Sequence, residues 1–109
     1  MIQLEKTFVR YGFRHTLQHR EKDIALYKRE SVDLRTLEVE TDPVIDFETV
    51  IIQHQESNII TVGNVSFDVL EKEVYPKGSN WGTFGFSFPK YSEAKEQYDK
   101  LVAEEKRNN

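Results

Sequence analysis

Hydrophobic and polar residues alternate along much of this chain, and a period of two residues is typical of a β-strand with one buried face. In "TFVRYGFRH", the alternation places Val9, Tyr11 and Phe13 on one side and Arg10 and Arg14 on the other. The pattern predicts a half-buried antiparallel strand, followed by a polar connection, "TLQHREK".

Three further segments carry strand patterns. "DIALYKRE" (23–30) has apolar residues on both sides, which predicts a strand partly covered on both faces. "LRTLEVETD" (34–42) alternates apolar with acidic residues, so it predicts a strand with an acidic outer face. "VIDFETVIIQHQ" (44–55) is rich in β-branched residues, which favours a strand, although a helix over 46–55 is an alternative that the pattern leaves open.

A hairpin and an aromatic strand are predicted in the second half. "NIITVGNVSFDVL" (58–70) has two β-branched runs around Gly63-Asn64, the signature of a type II′ hairpin. In "WGTFGFSF", Phe84, Phe86 and Phe88 share one face of a predicted strand. The two glycines of that segment permit a positive φ or the close approach of an aromatic ring to the backbone.

The last segment predicts a helix. Ser92 is the expected N-cap, and an apolar stripe follows at helical spacing, formed by Ala94, Tyr98, Leu101 and Val102. The phenylalanine face is the nearest surface that could bury this stripe. The sequence therefore predicts a single α+β domain over 1–109, an antiparallel sheet of five or six strands with the C-terminal helix packed on one face, and a frayed tail over 105–109.

Composition narrows the setting. A chain of 109 residues without cysteine can form one core, but neither disulfides nor a thiol nucleophile. No apolar stretch is long enough to span a bilayer, and the N-terminus does not resemble a signal peptide, so we expect a soluble, cytoplasmic protein. The net charge of −4 is unevenly spread: residues 1–30 are basic and residues 31–75 strongly acidic.

The segment around the aromatic strand carries a resemblance. Tyr75-Pro76, a short polar turn, Trp81-Gly82, Phe84-Gly85-Phe86 and the closing helix are similar to the C-terminal third of small uncharacterised proteins of bacteriophages and other mobile elements. That family has no assigned activity. The resemblance implies a phage or mobile-element accessory protein and, by analogy, one that binds a host protein and antagonises a host system.

Two sets of residues are candidates for binding a protein partner. Tyr75 and Trp81 would serve if they protrude as aromatic anchors, although a structural role in the sheet is the simpler interpretation. Glu38, Glu40 and Asp42, continued by Asp46 and Glu48, would form an acidic stripe. That stripe is either a solvated face or a docking face for a basic surface, and it lacks the spacing of a calcium loop.

Basic residues near the N-terminus suggest an alternative function. Arg10, Arg14, Arg20 and Lys22 would contact phosphates if the chain were a nucleic-acid-associated accessory protein. The acidic net charge and the predicted separation of the arginines from the aromatic face make nucleic-acid binding the weaker hypothesis.

Catalysis and cofactors find little support in the sequence. His15 and His19 have a metal-compatible spacing only on a helix, and no nucleophile–base pair is evident. We therefore predict no catalytic, cofactor-binding or metal-ligating residues. The predicted function is a non-catalytic protein-interaction module with no membrane association, and a homodimer is an alternative that remains open.

Overall fold

The computed structural model describes residues 1–107, which form one α-helix, one short 3-10 helix over Gly78–Asn80 and nine strands. The bounds of the main elements are β1 Thr7–Arg10, β2 Phe13–Glu21, β3 Ile24–Ser31, β4 Ile45–Ile51, β5 Gln53–Gln55, β6 Asn58–Val62, β7 Val65–Val69, β8 Lys72–Val74, β9 Gly85–Phe88 and α1 Tyr91–Arg107.

Five strands form the main antiparallel sheet, in the order β1-β2-β3-β4-β9. The first four follow one another along the chain, and β9 returns to the free edge of β4. Helix α1 packs on one face of this sheet, against β3, β4 and β9. The predicted α+β fold, a five-stranded antiparallel sheet with a C-terminal helix on one face, is confirmed.

Strand β3 lies at the centre and is buried on both faces, as its apolar pattern predicts. Ile24 and Leu26 point toward the helix, where they pack with Ala94 and Tyr98. Ala25 and Tyr27 point the other way, into a second core. The sheet therefore needs cover on both faces, and α1 supplies only one of the two.

The helix follows its predicted stripe, but its ends differ from the prediction. Ser92 lies within the helix instead of capping it, because the helix already begins at Tyr91. Residues 105–107 are helical instead of frayed, and the ammonium of Lys106 lies 3.2 Å from a carboxylate oxygen of Glu21 in β2. The rest of the predicted tail, 108–109, lies outside the described residues.

A turn divides the first predicted strand. Tyr11 and Gly12 have φ values of 52° and 78°, and Arg10 pairs with Phe13 across this two-residue turn. The predicted strand over 7–15 is therefore a hairpin, and the predicted polar connection belongs mostly to β2. Because opposed residues share a face, Arg10 lies on the side of Phe13, whereas Arg14 lies on the opposite side, with Val9.

The prediction of an acidic strand over 34–42 is wrong. The segment is a loop between β3 and β4, held by turn hydrogen bonds around Asp33 and by an isolated bridge between Val32 and Val39. Strand β3 already has β2 and β4 as neighbours, and β4 has β3 and β9, so neither strand that the loop connects offers it a free edge. Alternation alone does not reveal which edges are already occupied.

Residues 44–55 are extended, so the strand prediction is confirmed over the helical alternative. Beyond them, β5 pairs with β8, and β6 pairs with β7. The predicted hairpin turn is confirmed: Val62 opposes Val65, and Gly63 has the positive φ, 62°, that the first position of a type II′ turn requires. We call β6 and β7, residues 58–69, the ribbon.

The aromatic segment is divided between the two faces of the sheet. Strand β9 begins only at Gly85, and 81–84 form a turn before it. Phe88 packs in the helix-side core, as predicted, but Trp81 packs in the core on the opposite face. Only part of the aromatic segment therefore lies on the helix side of the sheet.

Candidate functional site

The face of the sheet opposite α1 carries a core with a polar centre. Ala25, Tyr27, Val50, Ile52 and Tyr75 are buried there. The covering layer comes from two segments outside the main sheet, the first six residues and the stretch that leads from β8 to β9, which contribute Leu4, Tyr75 and Trp81.

Glu48 occupies the polar centre. It lies in β4 directly opposite Tyr27, and only 4% of it is exposed. The hydroxyl of Tyr75 donates to one carboxylate oxygen at 2.7 Å, and the hydroxyl of Ser87 donates to the other at 2.9 Å. Burial raises the pKa of the Glu48 carboxyl, and the same burial raises the pKa of the Tyr75 hydroxyl.

Arg29 compensates this buried acid. Its guanidinium donates two hydrogen bonds to Asp46, at 2.7 and 2.6 Å, and its Nε lies 3.3 Å from the second oxygen of Glu48. The hydrogen bond to Asp46 raises the pKa of Arg29. Two strands thus bring one guanidinium between two carboxylates, which share its positive charge within the sheet.

His15 lies beside this network and is 2% exposed. Its ring stacks on Phe8, with centroids 4.6 Å apart. Its Nδ1 lies 3.1 Å from the carbonyl oxygen of Phe13, and its Nε2 lies 3.7 Å from Glu48 Oε1. Burial lowers the pKa of His15 to about 4, so the ring is neutral at pH 7.

A cleft of about 170 Å³ opens above these groups. Arg10 and Tyr11, from the β1–β2 turn, form one side, and Pro76, Gly78 and Trp81 form the other. The floor consists of polar side chains of the network described above, His15, Arg29, Glu48 and Tyr75. Trp81 is held in place because its Nε1 donates to Ser87 Oγ at 2.9 Å.

The hydrogen bonds at the floor fix the shape of the cleft and fit a binding site better than a catalytic one. Both oxygens of Glu48 already accept hydroxyl groups, and Ser87 both donates to Glu48 and accepts from Trp81. The absence of an enzymatic activity stays a prediction.

The ribbon is a second candidate site, because its side chains are almost entirely exposed. Nine of its ten strand residues are exposed, and the tenth, Val69, is half-buried. One face is apolar along its length and carries Ile60, Val62, Val65, Phe67 and Val69, next to Asn58. The other face carries Thr61, Ser66 and Asp68, together with Ile59.

The acidic candidates Glu38, Glu40 and Asp42 are exposed in the β3–β4 loop and line a shallow depression. The predicted continuation of the stripe is wrong. Asp46 is paired with Arg29, and Glu48 is buried in the sheet. The acidic surface is therefore confined to the β3–β4 loop.

The two aromatic candidates do not protrude. Tyr75 is 6% exposed, so it is a core residue and not an anchor for a partner. Trp81 is half-buried and forms the wall of the cleft. The structural interpretation of the glycines is confirmed: Gly82 has φ 90°, and the Trp81 ring lies against the backbone of Gly85.

The basic candidates are not brought to one surface. Arg10 faces the cleft, and the guanidinium of Arg14, on the opposite side of the sheet, donates to the carbonyl of Leu37 at 2.8 Å. Arg20 is engaged by both carboxylate oxygens of Glu73, and Lys22 lies in the turn after β2. These four residues therefore form no continuous basic track for a nucleic-acid backbone.

The residues best placed to hold a metal ion include His54 and neither of the two histidines considered from the sequence. His15 and His19 lie on opposite faces of β2, because the strand is irregular between Leu17 and His19. Asp23, His54 and Glu73 do present ligand atoms within 4.8 Å of one another. However, Arg20 occupies both oxygens of Glu73, and a guanidinium at that position opposes a cation.

Sequence reasoning missed the polar floor of the cleft. A signal was available: Glu48 and Asp46 share the strand face of Val50, and Arg29 shares the face of Tyr27. Opposite charges at matching positions of two neighbouring strands predict a pair across the sheet. That pair could be recognised only from the register of β3 against β4, and the strand wrongly predicted over 34–42 obscured that register.

Within residues 1–107, no helix is both long and apolar enough to cross a membrane. No family model, curated protein or solved structure matches this chain. The resemblance to phage and mobile-element proteins therefore stays a prediction from the sequence.

Proposed function

We propose that this chain is a non-catalytic protein-interaction module that acts through the apolar face of the ribbon, and that the occupant of this face is a second copy of the chain. The observation that carries the proposal is a one-sided apolar pattern that is left exposed by residues 1–107. Ile60, Val62, Val65 and Phe67 are 46%, 64%, 55% and 54% exposed.

The ribbon is incomplete as a folded unit. An isolated two-stranded hairpin is marginally stable in water, and its apolar face requires a third strand or another layer as cover. Within residues 1–107, the ribbon strands pair with each other and with no further strand. A partner that covers the apolar face would complete the two-layer packing that β-structure ordinarily has.

Charge favours a second copy as the partner. The apolar face carries no charged residue, because the ribbon's Asp68 points to the other side. Two such faces can therefore meet about a two-fold axis without placing like charges opposite each other, although the chain as a whole carries −4. Self-association by this face adds no electrostatic cost at its centre.

The test is the mass in solution, measured by light scattering across a range of concentrations. We expect wild-type protein to approach twice 12.9 kDa as its concentration rises. Phe67→Lys should shift the protein to the monomer, because it places a charge in the apolar contact. Thr61→Lys, on the other face, is the matched control and should remain a dimer.

A wild-type chain that stays monomeric at millimolar concentration would overturn the proposal. Equal dissociation by Phe67→Lys and Thr61→Lys would overturn the assignment to the apolar face. The acidic loop and the basic residues gain no functional role from the structure, and antagonism of a host system stays a prediction from the resemblance.

A further inference from the structure

The floor of the cleft holds an acceptor with no hydrogen-bond partner among residues 1–107. His15 Nδ1 lies 3.1 Å from the carbonyl oxygen of Phe13, and that contact assigns the ring proton to Nδ1. Nε2 of the neutral ring is then an acceptor. Its neighbour Glu48 Oε1, at 3.7 Å, is also an acceptor and lies beyond hydrogen-bonding distance.

This acceptor belongs to a residue that is only 2% exposed and that lines the cleft. Because Nε2 has no hydrogen-bond partner among residues 1–107 and its residue lines the cleft, a ligand in the cleft can add a hydrogen bond there. Because both His15 Nε2 and Glu48 Oε1 accept, the complementary ligand group is a donor, such as a hydroxyl or an amino group.

The rim of the cleft holds a cation that remains available. Arg10 has no carboxylate within ion-pair distance among the described residues, whereas Arg29 is occupied by Asp46. The Arg10 guanidinium lies 4.7 Å from the ring centroid of Tyr11 and 5.9 Å from that of Tyr75. A guanidinium held against aromatic rings can pair with a carboxylate at the mouth of the cleft.

Aromatic surface connects the floor to the rim. Trp81 and Tyr75 lie with centroids 6.4 Å apart and line the same cleft. Such surface favours a planar ring. The volume of about 170 Å³ is below the usual 300–1,000 Å³ of a drug-sized ligand pocket, so the cleft suits a molecule with a single ring.

We propose that this cleft binds a small aromatic acid that also carries a hydroxyl or amino donor. The donor bonds to His15 Nε2 at the floor, the ring packs against Trp81, and the acid group pairs with Arg10 at the rim. This site is independent of the ribbon and goes beyond the proposed function.

The chain supplies its own reporter for the test. Trp81 is the single tryptophan, so its indole N–H gives one signal in a ¹H–¹⁵N spectrum, from the wall of the cleft. The probes are 4-hydroxybenzoate, benzoate, which lacks the donor, and phenol, which lacks the acid group. We expect 4-hydroxybenzoate to shift the signal saturably and to bind roughly tenfold more tightly than either of the others.

Arg10→Gln should weaken binding of 4-hydroxybenzoate by roughly tenfold and leave phenol unaffected. Arg14→Gln is the matched control on the opposite side of the sheet and should bind like the wild type. The comparison of probes on the wild-type chain tests the proposal even if Arg10→Gln does not fold. No saturable shift at about 10 mM probe, or equal affinities for 4-hydroxybenzoate and phenol, would overturn it.

Discussion

The six-membered ring of Trp81 occupies the space where a side chain at Gly85 would begin. A Cβ at Gly85 would lie 2.8 Å from Cη2 of Trp81 and closer still to two other ring atoms. Non-bonded contacts of a Cβ atom are essentially never this short, so either the ring or the backbone must move. The wall of the cleft thus depends on a glycine in the edge strand next to β4.

Gly85→Ala should therefore lower the free energy of unfolding by about 1–3 kcal/mol, because the methyl group overpacks the site. Gly78→Ala is the control, because a Cβ at Gly78 meets no atom within 4 Å. Urea denaturation followed by tryptophan fluorescence measures both. Equal stability of the two variants would show that the Trp81 ring moves aside without lowering the free energy of unfolding.

The pair between Arg20 and Glu73 should stabilise the junction of β2 and β8. The two hydrogen bonds measure 2.8 and 2.6 Å, and Glu73 also accepts the backbone N–H of Leu4. Arg20→Gln should lower the free energy of unfolding by about 1–3 kcal/mol, because it leaves a poorly exposed carboxylate without its cation.

The control for this pair is Arg35→Gln, because Arg35 pairs with Asp33 in an exposed loop and should be dispensable. Arg20 holds the pKa of Glu73 at about 2. In Arg20→Gln, an NMR titration should show this pKa rising toward its ordinary value. An unchanged pKa would contradict the assigned cause.

His15 should make stability fall with falling pH. Its pKa is lowered to about 4 by burial, against about 6.5 in an unfolded chain. Between these two values the unfolded state binds a proton that the folded state does not, so the free energy of unfolding decreases as the pH falls through this window. The raised pKa of Glu48 acts in the opposite direction.

Two measurements separate these contributions. A ¹H NMR titration should place the midpoint of His15 near 4. Denaturation of the wild type and of His15→Gln between about pH 7 and about pH 4 should show a shallower decline in the variant. A His15 midpoint above about 6 would contradict burial of the neutral ring.

The helix-side core should depend on Leu26. This side chain is fully buried and packs in the same cluster as Ala94 and Tyr98. Leu26→Ala should cost about 2–5 kcal/mol, because it leaves a cavity between sheet and helix. Leu34→Ala, at a residue 72% exposed in the β3–β4 loop, should leave the denaturation midpoint unchanged. A small loss of stability in Leu26→Ala would mean that α1 moves toward the sheet and fills the cavity.

Local patterns were sufficient to predict the elements whose neighbours lie close in sequence. The stripe of α1, the two-sided burial of β3 and the Gly63 turn depend on local periodicity or on one glycine, and all three are present. The failures involve partners that are distant in sequence. Residues 34–42 form a loop because the edges of β3 and β4 are already occupied. The position of Trp81 depends on the return of β9 to β4.

The cleft could not be predicted for the same reason. Its floor joins residues of three strands to Tyr75, which follows β8, and its walls join the β1–β2 turn to the segment before β9. The ribbon, by contrast, was predicted as a hairpin, but the apolar pattern that identified it normally indicates contact with a core. A sequence shows that a face is apolar but does not show whether the same chain covers it.

The late return of β9 makes the chain between β4 and β9 a place that tolerates insertions. Strands β1 to β4 join neighbours through contacts of low sequence separation, whereas β9 reaches β4 only after residues 52–84 close into a loop. The entropy of loop closure rises slowly, by about 0.6 kcal/mol for each doubling of length. Extra residues inserted at the Gly63-Asn64 tip would therefore lengthen the excursion while leaving the register of β9 intact.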